Sequence, residues 1–131
     1  MVQRALIVED EPLIAIDLEA TLRTLGFDVC GRASNPREAV ELATSRQPDF
    51  ILMDVYLDEG HQGINAAKWL REACGIPVLF ITGHTDWETM ARIRELLPGA
   101  PLCAKPVRPD RLVAAITGAT GWNAQVSPPL F

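Results

Sequence analysis

Apolar segments of strand length alternate with segments of helical period along most of this 131-residue chain. The strand-like segments are ALIV, FDVCGRA, DFILM, PVLFI and APLCA, and each is followed by a stretch with helical spacing of its apolar residues. These runs are nearly continuous, which is typical of strands buried on both faces. Five strand–helix units predict an α/β fold, a doubly wound five-stranded parallel sheet with helices on both faces.

Signals for helix ends support this division. After the first predicted helix, Gly26 stands where a C-terminal glycine cap belongs. Asn35 can cap the second helix, with Pro36 in its first turn and Glu38 at the position of a capping-box acid. The segment TDWE predicts another capping box at the start of the fourth helix, and RPDRLVAAI predicts the start of the fifth.

Length, charge and cysteine content narrow the class of protein. A chain of 131 residues has room for one domain with a hydrophobic core. Its net charge of −5 argues against direct binding of nucleic acid, because phosphate contacts need clustered Lys and Arg. Three widely spaced cysteines predict neither a disulfide framework nor a zinc motif, and no segment resembles a membrane span or a signal peptide. We therefore expect a cytoplasmic domain that binds neither nucleic acid nor membrane.

Charged and hydroxyl side chains follow four of the five predicted strands. Glu9 and Asp10 end the first strand, Asp54 the third, Thr82 the fourth and Lys105 the fifth. The second strand ends without such a group, which suits an edge position. Because parallel sheets bind ligands beyond the carboxyl ends of their strands, these five side chains are predicted to converge on one site.

The predicted cluster has the chemistry of a cation and phosphate site. Three carboxylates and one ammonium carry a formal charge of −2, and oxygen-only ligands favour Mg²⁺ or Mn²⁺ over zinc. An incoming phosphoryl group would find the metal and Lys105 for its oxygens, a hydroxyl from Thr82 and a carboxylate for in-line attack. Asp54 is the best candidate nucleophile, because Glu9 and Asp10 are adjacent and better placed to hold the metal.

The segments LIVEDEP, DFILMDVYL, LFITG and CAKPV, in this order and spacing, resemble the receiver domain of bacterial two-component response regulators. The resemblance covers residues 3–118 and leaves 119–131 as a C-terminal tail that we expect to be poorly ordered. It implies the flavodoxin-like receiver fold with strand order 2-1-3-4-5. The domain would then be a phosphoacceptor in two-component or phosphorelay signalling rather than an enzyme, catalysing only its own phosphorylation and slow autodephosphorylation.

The resemblance also implies a role for each carboxylate of the predicted cluster. Asp54 would be the phosphoacceptor. Glu9 and Asp10 would bind Mg²⁺ together with Asp54 and the backbone carbonyl of Tyr56. The phosphoryl group would come from a sensor histidine kinase or a histidine phosphotransfer protein, and a downstream protein target would receive the signal.

The switch residues match the family in part. Thr82 would be the switch hydroxyl and Lys105 the contact to a phosphoryl oxygen, with a cis peptide bond between Lys105 and Pro106. The aromatic residue that the family usually carries three positions before this lysine is replaced by Leu102. Gly83 follows the switch threonine, where alanine is frequent. We therefore expect a variant switch that does not use the usual aromatic side chain.

Four further side chains are predicted to modulate the site or to bind partners. Tyr56 and His84, each two positions beyond a residue of the cluster, are expected to crowd the path of hydrolytic water. Leu13 and Ile16 form, with Ala20, a second apolar stripe on the first helix. They are either ordinary exposed residues or a docking patch for the phosphohistidine-bearing partner.

Other interpretations remain open from the sequence. A phosphorylation-independent interaction module with a receiver-like fold is the main alternative. A phosphatase with an aspartyl-phosphate intermediate is less favoured, because Tyr56 occupies the position of its acid/base. A flavodoxin-like cofactor binder would need a phosphate-binding loop rich in Gly, Ser and Thr after the first strand, and the sequence has none there. Few residues follow the fifth predicted helix, so we expect a stand-alone receiver or one excised from a longer chain.

Overall fold

A five-stranded parallel sheet forms the centre of the computed structural model, which describes residues 3–57, 62–83 and 86–122. In chain order the elements are β1 (Arg4–Val8), α1 (Pro12–Thr24), β2 (Asp28–Ala33), α2 (Pro36–Arg46), β3 (Phe50–Asp54), α3 (Gln62–Cys74), β4 (Val78–Thr82), α4 (Trp87–Leu96), β5 (Leu102–Ala104) and α5 (Pro109–Thr120). The strands lie in the order β2-β1-β3-β4-β5. This arrangement confirms the predicted doubly wound fold, with β2 at an edge of the sheet.

Helices cover both faces of the sheet, and each face has its own core. Residues of α2, α3 and α4 pack with Ile51 and Met53 of β3 on one face. Residues of α1 and α5 pack with Phe50 and Leu52 of the same strand on the other face. Because consecutive side chains of a strand point to opposite faces, the continuous apolar run of β3 is buried on both. Within the described parts of the chain, no helix has the length and apolarity that crossing a membrane requires.

The predicted end of α1 and start of α2 are confirmed. Gly26 follows α1 with a φ of +96°, a left-handed conformation that glycine adopts without steric cost. At the start of α2, the side chain of Asn35 accepts a hydrogen bond from the backbone N–H of Glu38 at 2.9 Å. The Glu38 carboxylate in turn accepts one from the backbone N–H of Ser34. These bonds satisfy donors that a helix start leaves unpaired.

The start of α4 differs from the prediction by one residue. The capping box in TDWE would place the cap at Thr85 and its reciprocal acid at Glu88, but Asp86 is the N-cap and the helix begins at Trp87. A carboxylate offers two acceptor oxygens at this position. They lie 2.8 Å from the backbone nitrogen of Thr89 and 2.9 Å from its hydroxyl oxygen. Thr85 lies outside the described residues.

Strand β2 carries one extra residue relative to its neighbour β1. The pairing register passes directly from Val29 to Gly31, so Cys30 forms a β-bulge. The guanidinium of Arg46, from the last turn of α2, donates a hydrogen bond to the carbonyl oxygen of Cys30. The bulge is therefore tied to α2 on the outermost strand of the sheet.

Helix α5 continues to Thr120, two residues beyond the predicted domain boundary. Gly118 does not end the helix, because one interior glycine costs only about 1 kcal/mol, which the packing of α5 offsets. The indole ring of Trp122 then packs against Phe27, with ring centroids 4.7 Å apart. The described structure thus includes residues 119–122 of the segment assigned to the tail, and residues 123–131 lie outside the described part of the chain.

Candidate functional site

Three carboxylates and one ammonium meet at the carboxyl end of the sheet. One carboxylate oxygen from each of Glu9, Asp10 and Asp54 lies within 4.8 Å of the other two. The ammonium nitrogen of Lys105 lies 2.6 Å from Glu9 Oε1 and 3.4 Å from Asp54 Oδ2. We refer to these four residues as the acid–lysine cluster. The structure therefore brings together the charged side chains that the sequence places at separate strand ends.

Parallel pairing of β1 with β3 positions the first and third strand ends. Val8 and Met53 are partners in this pairing, so the residues that follow them emerge side by side. These are Glu9, just beyond β1, and Asp54, the last residue of β3. Both are buried, with 3% and 4% of their surface exposed. Sheet register thus holds two acidic side chains together in a largely water-excluded place.

Thr82 and Lys105 belong to the same edge of the sheet. Thr82 ends β4, is fully buried and pairs with Ala104 of β5. Its carbonyl oxygen accepts a hydrogen bond from the backbone N–H of Lys105 at 2.9 Å. The peptide bond between Lys105 and Pro106 is cis, as the resemblance implies. The predicted switch hydroxyl and the cluster lysine are therefore tied through the backbone.

The predicted modulating positions have different surroundings. Gly83 is exposed, and a methyl group added there would lie 4.0 Å from Lys105 Cδ, an open position as far as the described residues show. Leu102 is partly buried and packs against the core on the α2–α4 face of the sheet. His84 lies outside the described residues, so its predicted role stays a prediction.

Burial and mutual repulsion shape the electrostatics of the acid–lysine cluster. Burial raises the pKa of Glu9 to about 7; the hydrogen bond from Lys105 opposes the rise, and the nearby Asp54 adds to it. Burial alone would lower the pKa of Lys105, but its hydrogen bond to Glu9 and the charges of Asp54 and Glu9 raise it overall. The ammonium group therefore stays protonated at neutral pH. Its single positive charge offsets only part of the negative charge of the carboxylates.

The donor set fits a small, hard divalent cation. It consists of carboxylate oxygens alone, with no histidine nitrogen or thiolate among the ligand atoms found within 4.8 Å of one another in the described residues. Mg²⁺ and Mn²⁺ prefer such ligands, and Mg²⁺ commonly keeps several of its waters beside one or two carboxylates. Glu9, Asp10 and Asp54 are thus the side chains that would hold the ion. The part assigned to the backbone carbonyl of Tyr56 stays a prediction.

Tyr56 connects the site to α4, a link that the sequence analysis does not predict. Its backbone N–H donates to Asp54 Oδ1 at 3.3 Å. Its phenol oxygen lies 2.7 Å from Thr89 Oγ1 and 3.2 Å from Asp86 Oδ2. The spacing of Asp86 and Thr89, three residues apart at a helix start, is the one sequence signal that could have pointed to them.

Gly63 is a second residue that the sequence analysis missed. It lies in the first turn of α3, and its backbone N–H donates to the carbonyl oxygen of Val55 at 3.2 Å. A Cβ atom at this position would lie 2.0 Å from the carbonyl oxygen of Asp54, far inside contact distance. Only glycine lets α3 approach the end of β3 this closely. A glycine within a helical pattern is the available sequence signal.

The second apolar stripe of α1 is exposed, as expected. Leu13 is 82% exposed and Ile16 is 52% exposed. Ile16 also lines an open cavity of about 330 Å³ together with Glu9 and Asp10. The stripe therefore adjoins the acid–lysine cluster, which a docking patch for a phosphoryl donor would need. Docking itself stays a prediction.

The chain belongs to the response regulator receiver domain family, whose model it matches over residues 5–117. It is 40% identical over 120 residues to the phyllosphere-induced regulator PhyR of Methylorubrum extorquens, covering 91% of this chain and 44% of PhyR. It is 36% identical over 114 residues to the transcriptional regulatory protein PdtaR of Mycobacterium tuberculosis, covering 87% of this chain and 55% of PdtaR. The chain thus spans about half the length of these relatives.

Its fold is similar to that of the signal receiver domain of a modulated diguanylate cyclase from Desulfovibrio desulfuricans. The TM-score is 0.83 at 37% sequence identity, over 92% of this chain and 95% of that domain. This similarity confirms the receiver fold. The protein is therefore a receiver domain of two-component signal transduction.

Proposed function

We propose that this domain accepts a phosphoryl group on Asp54 from a phosphohistidine donor and signals its phosphorylation to a protein partner. The observation that carries the proposal is the acid–lysine cluster. A buried carboxylate at a strand end lies 3.4 Å from an ammonium and shares its site with two further acids. Family membership supports the same assignment.

The chemical step needs a nucleophile and a neutralised electrophile. One Asp54 oxygen forms a bond to phosphorus as the bond from phosphorus to the donor imidazole nitrogen breaks, and the electron pair stays on that nitrogen. Lys105 offsets charge on a phosphoryl oxygen, and the hydroxyl of Thr82 donates to another. Mg²⁺ or Mn²⁺ held by Glu9, Asp10 and Asp54 would offset the charge that gathers as phosphate and carboxylate approach.

The position of the acid–lysine cluster beside α1 also indicates where the phosphohistidine donor would bind. We assign the phosphohistidine donor, a sensor histidine kinase or a histidine phosphotransfer protein, to the exposed stripe of Leu13 and Ile16 beside the cluster. A downstream protein would recognise the phosphorylated state. The domain would catalyse its own phosphorylation and slow dephosphorylation and no other reaction. The net charge of −5 supports a protein target over nucleic acid.

Intact-mass measurement tests the proposal. The protein is incubated with acetyl phosphate and Mg²⁺, with and without a chelator. We expect an added mass of one phosphoryl group that requires the free cation and is absent in Asp54→Asn. Labelling that persists in Asp54→Asn would place the acceptor elsewhere. A protein that takes up no phosphoryl group from either a small donor or a kinase would favour the interaction module that needs no phosphorylation.

A further inference from the structure

Tyr56 contacts both the proposed phosphoacceptor and the start of α4. Its main-chain N–H reaches the Asp54 carboxylate, and its phenol group reaches Asp86 and Thr89. Tyr56 is the only tyrosine in the chain. A single residue therefore spans the distance between the loop after β3 and the first turn of the helix after β4.

At the α4 end of this connection, Asp86 and Thr89 are bonded to each other and to the phenol group of Tyr56. Asp86 Oδ1 accepts from the backbone N–H of Thr89, and Asp86 Oδ2 accepts from the Thr89 hydroxyl. The phenol of Tyr56 joins the same two side chains. Thr89 is fully buried although it carries a hydroxyl. We refer to Tyr56, Asp86 and Thr89 as the tyrosine clasp.

Asp86 is an ionised acceptor at neutral pH. The backbone and side-chain hydrogen bonds from Thr89 lower its pKa, and the phenol of Tyr56 lowers it further. Hydrogen bonds to an ionised acceptor are about twice as strong as neutral ones. These charge-assisted bonds hold the Thr89 hydroxyl, and the phenol oxygen of Tyr56 lies 2.7 Å from that buried hydroxyl but 3.2 Å from the exposed Asp86, so the ring is anchored on α4 chiefly through Thr89.

The Asp54 end is held more loosely. The distance from the Tyr56 nitrogen to Asp54 Oδ1 is 3.3 Å, longer than the roughly 2.9–3.0 Å usual for an N–H donor and an oxygen acceptor. A phosphoryl group on Asp54 would extend farther from β3 and offer this N–H a more highly charged oxygen at a different position. Taking that oxygen as acceptor would draw the main chain of Tyr56 toward the site, against the anchor of its ring on α4.

We propose that Asp86 and Thr89 are positioning residues that act through Tyr56, so that the tyrosine clasp stabilises the unphosphorylated state and transmits phosphorylation of Asp54 to the start of α4. This inference rests on the proposed function. It supplies a route to α4 that does not need an aromatic side chain at Leu102. By linkage, if phosphorylation strains the clasp, opening the clasp must favour the phosphorylated state to the same extent.

The affinity for beryllofluoride with Mg²⁺, a stand-in for the phosphoryl group on a carboxylate, measures this coupling. Tyr56→Phe keeps the ring and removes the phenol oxygen. Thr89→Val keeps the shape and the backbone N–H and removes the hydroxyl. We expect each to bind beryllofluoride about five-fold more tightly than the parent, the change that one lost opposing hydrogen bond produces. Thr89→Ser, which keeps the hydroxyl, is expected to restore the parent affinity.

The NMR signals of an isotope-labelled tyrosine ring provide a second measurement. These signals would not respond to beryllofluoride if Asp86 and Thr89 had only a structural role. The single tyrosine gives one set of ring signals, which we expect to shift when beryllofluoride binds to the parent. In Thr89→Val the signals of the free protein should already lie toward the bound position. Thr44→Val is the control for the substitution itself, because it removes a threonine hydroxyl that donates to the carbonyl oxygen of Val40 on the distant α2, at an exposed position.

The outcomes separate the two proposals. Equal or weaker beryllofluoride binding by Tyr56→Phe and Thr89→Val, with a parent that binds normally, would overturn the coupling and leave the proposed function standing. A parent that binds no beryllofluoride in the presence of Mg²⁺ would overturn the proposed function and the coupling with it. The same tightening in Thr44→Val would show that the gain is unrelated to the clasp and would also overturn the coupling.

Discussion

The ammonium nitrogen of Lys105 lies closer to Glu9 than to Asp54, at 2.6 Å from Glu9 Oε1 and 3.4 Å from Asp54 Oδ2. In this state the lysine chiefly offsets the charge of a carboxylate whose side chain has no exposed surface. The residue proposed to neutralise a phosphoryl oxygen therefore also stabilises the fold before any phosphoryl group arrives.

Lys105→Met is expected to lower the free energy of unfolding by about 2 kcal/mol at neutral pH, because the buried carboxylate of Glu9 loses its partner. Urea denaturation measures the loss. Lys68→Met is the control, since Lys68 also lies 2.6 Å from a carboxylate, that of Glu72, but on the surface. We expect this exposed pair to contribute less than about 0.5 kcal/mol. Equal losses in the two variants would contradict a stabilising role of burial at Lys105.

Asp10→Ala is expected to abolish cation-dependent phosphorylation while leaving the fold intact. Removing one of three clustered carboxylates also relieves repulsion, so the apo protein should be as stable as the parent or slightly more stable. Labelling by acetyl phosphate and thermal unfolding check the two parts. Asp17→Ala removes an exposed acid from α1 and serves as the charge-matched control. Phosphorylation of Asp10→Ala that is equal with and without chelator would refute the assignment.

Gly63→Ala is expected to cost about 1–3 kcal/mol of stability and to slow phosphorylation, because the new methyl group collides with the carbonyl oxygen of Asp54 and displaces the loop after it. Gly118→Ala is the matched control: its methyl group would meet Pro101 Cγ at an ordinary 3.5 Å, within a helix that alanine favours. Unfolding and labelling rates are measured on both. A Gly63→Ala protein with the parent's stability would show that α3 can shift without cost.

Changing Leu13 and Ile16 together to Ser is expected to slow phosphoryl transfer from a phosphohistidine protein and to spare labelling by acetyl phosphate. The reason is that the two side chains are exposed and contribute little to the core. Trp69→Ser, an exposed apolar residue on α3, tests whether any loss of apolar surface has this effect. If both donors were slowed equally, the stripe would be structural and the docking assignment wrong.

Glu38 provides a pH-dependent prediction at the start of α2. Hydrogen bonds from the hydroxyl and then the backbone N–H of Ser34 lower its pKa. The folded-state pKa is thus below the unfolded one, so its stabilising effect is fully present above the unfolded value and disappears as the pH falls through the folded value. Glu38→Gln should lower the denaturation midpoint at pH 7 and match the parent in strong acid. A difference independent of pH would assign the effect to shape rather than charge.

The sequence was sufficient for the strand ends and for their convergence. Four of the five strand-like runs stop at a charged or hydroxyl residue, and parallel pairing then fixes where those residues meet, as Glu9 and Asp54 illustrate. The lack of a charged group at the end of β2 suited an edge position, and the strand order implied by the resemblance to receiver domains has β2 there. Periodicity and strand-end chemistry are local properties, so a single sequence carries them.

Features that depend on distant contacts escaped prediction. Thr85 and Asp86 are both good helix caps in isolation. Asp86 is also bonded by Tyr56, which is 30 residues away in the sequence. The need for glycine at position 63 arises only when α3 meets the end of β3, and no local pattern reveals the collision that a side chain would cause.

The bulge at Cys30 has a consequence for how copies of this domain behave at high concentration. A regular outer strand presents a row of free main-chain groups on which the strand of another molecule can add, and such addition can continue into polymers. Here the row is interrupted by the extra residue, and its carbonyl is already engaged by Arg46. The hydrogen bond from Arg46 therefore opposes the addition of a further strand at the bulge. A strand from a second copy would have to disturb this bulge and its Arg46 contact in order to pair regularly along β2.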